Sequence, residues 1–198
     1  DLAADSALSR VAAYLDANVA APLGEALSSG PLKPAARAAL DAVEDLQFFI
    51  RDLEIRAAPS NLVEVAQETA REFTQDWDLP VRMQAPASPV RARIDPEALK
   101  DAIFLVLANA GHFGDGGVEV QVDEVEAAAR ILVRDRGPGF SADALQRGMD
   151  PFFTTRPGGL GLGLPFARRI VTELGGEIAL RNRPEGGAEV EIRFPATS

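Results

Sequence analysis

The sequence predicts an α+β protein, with a helical hairpin over residues 1–57 followed by a two-layer α/β sandwich over residues 60–198. Three observations predict it. Residues 1–56 carry helical spacing and no strand pattern. From residue 60 onward, short segments of period two alternate with apolar-striped helices. Between the two regions, Ala57-Ala58-Pro59 reads as a short linker.

The first helix carries a slanting stripe of Val11, Leu15, Val19, Leu23 and Leu27. Pro22 lies within it and removes the hydrogen bond to the Asn18 carbonyl, which predicts a kink. Ser28-Ser29-Gly30-Pro31-Leu32-Lys33-Pro34 then breaks the chain. The second helix repeats Ala39, Val43, Leu46, Ile50 and Leu53 in a 4-3-4-3 spacing, the seam of a coiled coil. One hairpin leaves part of each seam wet. It can be covered by the chain's own second domain or by a second copy, and pairing into a four-helix bundle makes a homodimer the expectation.

Ser60 is the expected cap of a helix over 60–77. Strands are expected at 81–83, 90–94, 118–122, 129–133, 177–180 and 189–194, forming one sheet under the helices. Asp95-Pro96 combines a cap with a first-turn proline for the next helix. The last helix is expected over 162–174.

Composition narrows the chemistry. The chain has 198 residues, a net charge of −10, no cysteine and one histidine, His112. Thiol catalysis, disulfides, thiolate zinc sites and histidine-rich metal sites are therefore excluded. So acidic a chain is a poor partner for nucleic acid, whose affinity comes from clustered Lys and Arg. No apolar run approaches the roughly 20 residues of a membrane span. The chain opens at Asp1 with neither a methionine nor a signal peptide, and it reads as a piece of a longer protein. The excess of arginine over lysine and the abundant alanine fit a GC-rich bacterial source.

Four motifs in fixed order carry the chemistry. Asn109, His112 and Phe113 fall at i, i+3 and i+4 and share one helix face. An amide oxygen such as that of Asn109 can take one position in a magnesium shell, while His112 fits either a phosphate contact or an ordinary surface histidine. Next, Asp135-Arg136-Gly137-Pro138-Gly139 ends a strand. An ionised carboxylate only accepts, so Asp135 can receive the amino group of adenine but not a guanine carbonyl. Gly137 and Gly139 allow the backbone to turn close by.

Then come Pro151-Phe152-Phe153-Thr154-Thr155 and Gly158-Gly159-Leu160-Gly161-Leu162-Gly163. The glycine string is neither a Walker loop nor a dinucleotide fingerprint. It opens directly into a helix whose first N–H groups attract anions, and it has the backbone freedom to close over a nucleotide as a flap whose other side Phe152 and Phe153 would anchor, unless they are simply packed in the core. Each motif alone also fits ordinary turns and helix ends. Together they describe a site for ATP.

At this point a resemblance becomes specific. Asn109, Asp135-x-Gly137-x-Gly139, Phe152-Phe153 and Gly159-x-Gly161-x-Gly163 are similar to the N, G1, F and G2 boxes of the GHKL ATPases, and in detail to those of sensor histidine kinases. The stretch PFFTTRPGGLGLGLPFARRIV is especially close, and the likeness covers nearly the whole chain. It implies that residues 1–57 form a dimerisation and histidine-phosphotransfer domain and that 60–198 form the catalytic ATP-binding domain. It implies that Asn109 holds Mg²⁺ and Asp135 reads adenine. His112, Phe113, Phe153, Thr154, Thr155, Leu160 and Leu162 join the ATP site, and residues 154–163 form its lid. Arg156 stands where the family often has a phosphate-facing lysine.

The chain also departs from that pattern. Leu105 occupies the first asparagine of the family's Asn-x-x-x-Asn, and Ala188 replaces a frequent threonine or serine. The phospho-acceptor motif His-Glu-x-x-Asn/Thr-Pro-Leu aligns on Ala17-Asn18-Val19-Ala20-Ala21-Pro22-Leu23. Ala17 has no nucleophile, Asn18 is no base, and Ala21 cannot align a water as the family residue does. The expectation is a cytoplasmic transmitter core of a two-component sensor histidine kinase, from a parent that could itself be membrane-anchored. It would be homodimeric, bind Mg-ATP, face a response regulator receiver domain, and lack autophosphorylation. The alternatives are a pseudokinase-like scaffold that uses ATP as a conformational ligand, and a kinase acting on a separate protein.

Overall fold

The computed structural model describes Val43 and residues 53–113, 117–156 and 160–197; the rest of the expected hairpin, including Ala17, Asn18 and Pro22, lies outside the described residues. Their order is β1 (Ala58–Asn61), α1 (Leu62–Trp77), β2 (Val81–Gln84), β3 (Arg91–Ile94), α2 (Pro96–Phe113) and β4 (Val118–Val125). There follow β5 (Ala128–Arg134), α3 (Ala142–Arg147), α4 (Gly163–Glu173), β6 (Glu177–Asn182) and β7 (Ala188–Pro195).

The main sheet runs β2-β4-β5-β7-β6, with β2 parallel to β4 and every other neighbour antiparallel. Strand alternation divides its residues between two faces. Val120, Val133 and Val190 lie in one cross-strand row, and Val122, Ile131 and Ile192 in the next. These apolar rows meet Phe73 of α1, Ile103 of α2 and Ile170 of α4 in a single buried core. The stripes that the helices need are present in the sequence. On α1 it is Leu62, Val65, Ala66, Thr69 and Phe73, and the buried Thr69 hydroxyl donates to the Val65 carbonyl at 2.8 Å, satisfying itself within the helix.

The opposite face is ionic. One row crosses all five strands as Arg82, Glu119, Arg134, Glu189 and Arg181, alternating in sign at each step. Arg134 reaches Glu189 at 2.7 Å and Glu119 at 3.5 Å, and the neighbouring Arg130 grips Asp123 at 2.7 Å. Glu191, only 4% exposed, lies among Arg181, Arg130 and Arg193. Opposite charges facing across strands contribute roughly 0.2–1 kcal/mol each.

Three expectations need correction. The strands do not form one sheet, because β1 and β3 pair antiparallel as a separate two-stranded sheet. This ribbon crosses the expected linker and the expected strand at 90–94, and it buries Ala92 and Ile94 against the end of the core. Ser60 does not cap α1; it is a β1 residue whose hydroxyl donates to the Ala58 carbonyl. Asn61 is the cap, with Oδ1 accepting from Val63 N at 3.2 Å and Nδ2 donating to Glu64 at 2.9 Å. The Asn-x-x-Glu spacing is that of a capping box, which Ser60 lacks because its third neighbour is Val63. Finally, α3 was not expected. It has six residues and buries only Ala144, so it shows no stripe, and its cap Ser141 accepts from Ala144 N at 3.1 Å.

The Asp95-Pro96 expectation holds. Asp95 Oδ1 accepts from Glu97 N at 3.0 Å and Ala98 N at 3.3 Å, and Oδ2 accepts from Arg56 N at 2.7 Å. One carboxylate thus starts α2 and fastens the segment that enters the domain, where Leu53 and Ile55 pack on the core.

Candidate functional site

Asp135 follows directly on β5, an interior strand of the main sheet. Its N–H donates to the Ala188 carbonyl at 3.1 Å, carrying the β5–β7 ladder one step further. The residue is 4% exposed, and its Oδ1 accepts from Gly137 N at 2.8 Å and Ala188 N at 3.1 Å. Both bonds fall on Oδ1. Oδ2 is left as the acceptor available to a ligand, in a residue that lines a cavity of about 640 Å³. That volume is in the range of small-molecule sites.

Gly137 does not line the cavity; its role is support. A Cβ there would collide with the Phe113 carbonyl at the end of α2, so only glycine lets the Asp135 turn lie against that helix. Across the cavity, α2 presents Leu105, Ala108, Asn109, His112 and Phe113. The shared face expected for Asn109, His112 and Phe113 is thereby borne out as geometry. The opposite side of α2 buries Leu99, Ile103, Val106 and Ala110, which is why this helix is apolar nearly all round.

His112 stands edge-on to Trp77, with ring centroids 4.8 Å apart. Burial, and after it the nearby Arg156 guanidinium, push its imidazole below the ordinary value. At neutral pH it is therefore an uncharged hydrogen-bonding group, and Arg156 supplies the cationic charge at this end.

The third wall comes from the glycine string and the segment before it. Phe152 N donates to the Gly161 carbonyl at 3.0 Å, joining the phenylalanine segment to the end of the glycine string. Gly161 has φ +68°, and a Cβ there would overlap the Phe153 carbonyl, so glycine is required at this crossing. Phe153, Thr154, Thr155, Arg156, Leu160 and Gly161 line the cavity, as do Gly139, Leu162 and Gly163. Thr154 accepts from Arg156 N at 3.0 Å, a local turn that aims the arginine. Phe153 is covered by the Arg147 guanidinium, 4.7 Å from the ring centroid. Phe152 corrects the expectation of two anchoring rings: its side chain is 64% exposed at φ +68°, and it anchors the glycine string through its N–H alone. Gly159, with Ala17 and Asn18, lies outside the described residues.

Leu162 caps α4 without a side-chain hydrogen bond, so the first N–H groups of the helix are not taken up by a cap at the cavity edge. Pro165 falls in the first turn, where a missing N–H costs nothing. No group of three or more His, Cys, Asp or Glu able to hold a metal occurs among the described residues. A hard cation here would take Asn109 as a protein ligand and draw its other oxygens from a bound anion and water.

Sequence reasoning missed Trp77, Phe104, Phe140 and Pro138 as cavity walls. Trp77 and Phe104 read as helix core, and Pro138 and Phe140 as turn residues, so only the tertiary arrangement shows that they face a hollow. It also missed Asn182, which bonds to the Phe140 backbone, and Arg183, whose Nη1 donates to the Asp135 carbonyl at 3.2 Å.

Residues 94–198, a little over half of the chain, match the family described as histidine kinase-, DNA gyrase B-, and HSP90-like ATPase. The chain is 41% identical over 106 residues to the sensor histidine kinase component HK1 of Mycobacterium tuberculosis, covering 52% of this chain and 63% of that protein. It is 29% identical over 151 residues to the C4-dicarboxylate transport sensor protein DctB of Rhizobium meliloti, covering 72% of this chain and 24% of that one. The chain thus spans less than two thirds of these curated relatives. Among solved structures it is similar to full-length ShkA in complex with AMPPNP, with TM-score 0.72 and 22% identity, over 96% of this chain and 46% of that one. At that identity the likeness is one of fold.

Proposed function

The chain belongs to the histidine kinase-, DNA gyrase B-, and HSP90-like ATPase family, on its histidine kinase branch, and from that membership we propose that it is the Mg-ATP-binding transmitter core of a two-component sensor kinase. The observation that carries the reading is the Asp135 carboxylate. Two backbone N–H groups hold Oδ1, and Oδ2 is left to accept inside the cavity. A buried acceptor at the end of a hollow, with Arg156, His112 and Asn109 along the same cavity, suits a ligand with an amino-bearing base and an anionic tail.

The residues fit the nucleotide. Asp135 accepts from the base, Phe113 and Phe140 offer apolar walls, and Arg156 with the α4 N-terminus meets the phosphates. Asn109 is the residue that would hold Mg²⁺. The bound metal nucleotide supplies an electrophilic γ-phosphoryl group whose charge the cation neutralises. Calorimetry is expected to show Mg²⁺-dependent binding of ATP or ADP with a strong preference over GTP. Equal affinity for GTP would overturn the base assignment.

On this reading the core works on the cytoplasmic side as a homodimer joined through residues 1–57, and its partner is a response regulator receiver domain. No helix among the described residues is long and apolar enough to cross a membrane. Dimerisation rests on the expected seam of Ala39, Val43, Leu46 and Ile50, since Leu53, expected at its end, is not helical and packs on the core instead. Leu46→Glu or Ile50→Glu puts a charge in that seam and is expected to give monomers at micromolar concentration. Light scattering decides it, and a monomeric unmodified chain would remove the dimer from the proposal.

Ala17, Asn18 and Ala21 favour a second reading, a pseudokinase-like scaffold in which ATP sets the conformation of a regulatory dimer. A kinase acting on a separate protein is the third. Labelled ATP with candidate partners separates them, because only the third produces a phosphorylated partner.

A further inference from the structure

We propose that Asn182, at the end of β6, is the positioning residue that sets the base-binding wall, an inference that rests on the ATP reading above. Residues 135–140 carry Asp135, Pro138, Gly139 and Phe140 into the cavity wall without any helix or strand of their own. Both ends of this loop are tied to the same β6–β7 hairpin. At its start, Asp135 exchanges two hydrogen bonds with Ala188: its N–H donates to the Ala188 carbonyl, and its Oδ1 accepts from Ala188 N, each at 3.1 Å. At its finish, Phe140 N donates to Asn182 Oδ1 at 2.6 Å, and Asn182 Nδ2 donates to the Phe140 carbonyl at 2.8 Å. Asn182 and Ala188 are themselves partners in the β6–β7 register. The two ties sit side by side and close the loop into a ring.

The chemistry of the second tie selects asparagine. Its carboxamide offers one acceptor and one donor, as a neighbouring strand would offer a carbonyl and an N–H. Aspartate offers acceptors alone and would set an oxygen against the Phe140 carbonyl. Alanine offers neither. The loop presses close to this side chain, since a Cβ on Gly139 would stand 2.7 Å from Asn182 Oδ1. Arg183 adds a third tie to the Asp135 carbonyl and is itself held by Glu185 at 2.6 Å. Asn182 does not line the cavity, so it acts through Phe140 and through the turn that presents Asp135.

The test uses the full chain with Mg²⁺ and ADP. Two neutral hydrogen bonds are at stake, so Asn182→Ala is expected to weaken ADP binding by about tenfold in calorimetry. Asn182→Ser, whose hydroxyl can both donate and accept, is expected to recover part of that loss, whereas Asn182→Asp recovers none. Because Asn182 is exposed, the ligand-free melting midpoint of each variant should stay within about 2 °C of the parent. Parent-like affinity in Asn182→Ala overturns the proposal, and so does a loss that follows a fall in the ligand-free midpoint. Failure of the unmodified chain to bind ADP strikes the ATP reading itself, and it is seen before any variant is made.

Discussion

Asp135→Asn is expected to reduce ATP affinity by roughly 10- to 100-fold, the range of one charge-assisted hydrogen bond. The structure makes the sign unambiguous. Oδ1 already accepts from Gly137 N and Ala188 N, so an asparagine must put its own oxygen there. Its NH₂ then takes the Oδ2 position and points a donor at the amino group of adenine. The amide cannot flip to escape, because flipping would set its NH₂ against two backbone N–H groups. The same exchange presents a donor to a base carrying a carbonyl, so GTP should lose nothing and the gap between ATP and GTP should narrow. Calorimetry with both nucleotides measures this. An Asp135→Asn chain that still binds ATP as the parent does would falsify the role given to this carboxylate.

The second large effect is a gain. The unmodified chain is expected to form no acid-labile phosphoprotein with Mg-ATP, since Ala17 has no nucleophile and His112, the one histidine, lies in the ATP cavity. Ala17→His places an imidazole about one turn before the expected kink at Pro22, and a neutral imidazole attacks phosphorus readily. The bond formed is imidazole N–P, the bond broken joins the γ-phosphorus to the bridging oxygen, and ADP leaves. Labelling should be slow, because Asn18 cannot accept the imidazole proton as an acidic neighbour would. It should vanish when Asn109→Ala is added. Label on the unmodified chain would refute the missing-acceptor reading, and an ATP-loaded Ala17→His chain that stays unlabelled would favour the scaffold.

What was legible in the sequence follows from the range of each interaction. Val118, Val120 and Val122 announce β4 because the pleat repeats every two residues, and the alternation survives in the structure as a buried row. Asp95 announces α2 because a cap acts on N–H groups two and three residues away. Asn109, Asp135 and the glycine string are each legible as local motifs, and the fold brings all three to one cavity. The boundary at Ser60 failed on a choice between adjacent polar residues, and Glu64 held the deciding information. Short α3 carries too little buried surface to leave a stripe. Asn182 was illegible for a different reason. Asn-Arg-Pro-Glu-Gly-Gly reads as plain turn chemistry, and the Phe140 backbone that gives Asn182 its role is 42 positions away.

The edge-on contact of Trp77 with His112 has a spectroscopic consequence. The chain contains one tryptophan, so all of its indole emission originates from a ring that lines the cavity and touches its one histidine. A protonated imidazole quenches an adjacent indole by electron withdrawal, whereas a neutral one does so weakly. The emission is therefore an optical reading of the charge on His112, with a quench midpoint below the ordinary histidine value. An anionic tail bound beside His112 stabilises the imidazolium and moves that midpoint upward. A midpoint that stays fixed on adding ADP would separate His112 from the phosphates. On the ATP reading the protein thus carries, without any added dye, its own indicator of whether the end of the cavity beside Arg156 and His112 is filled.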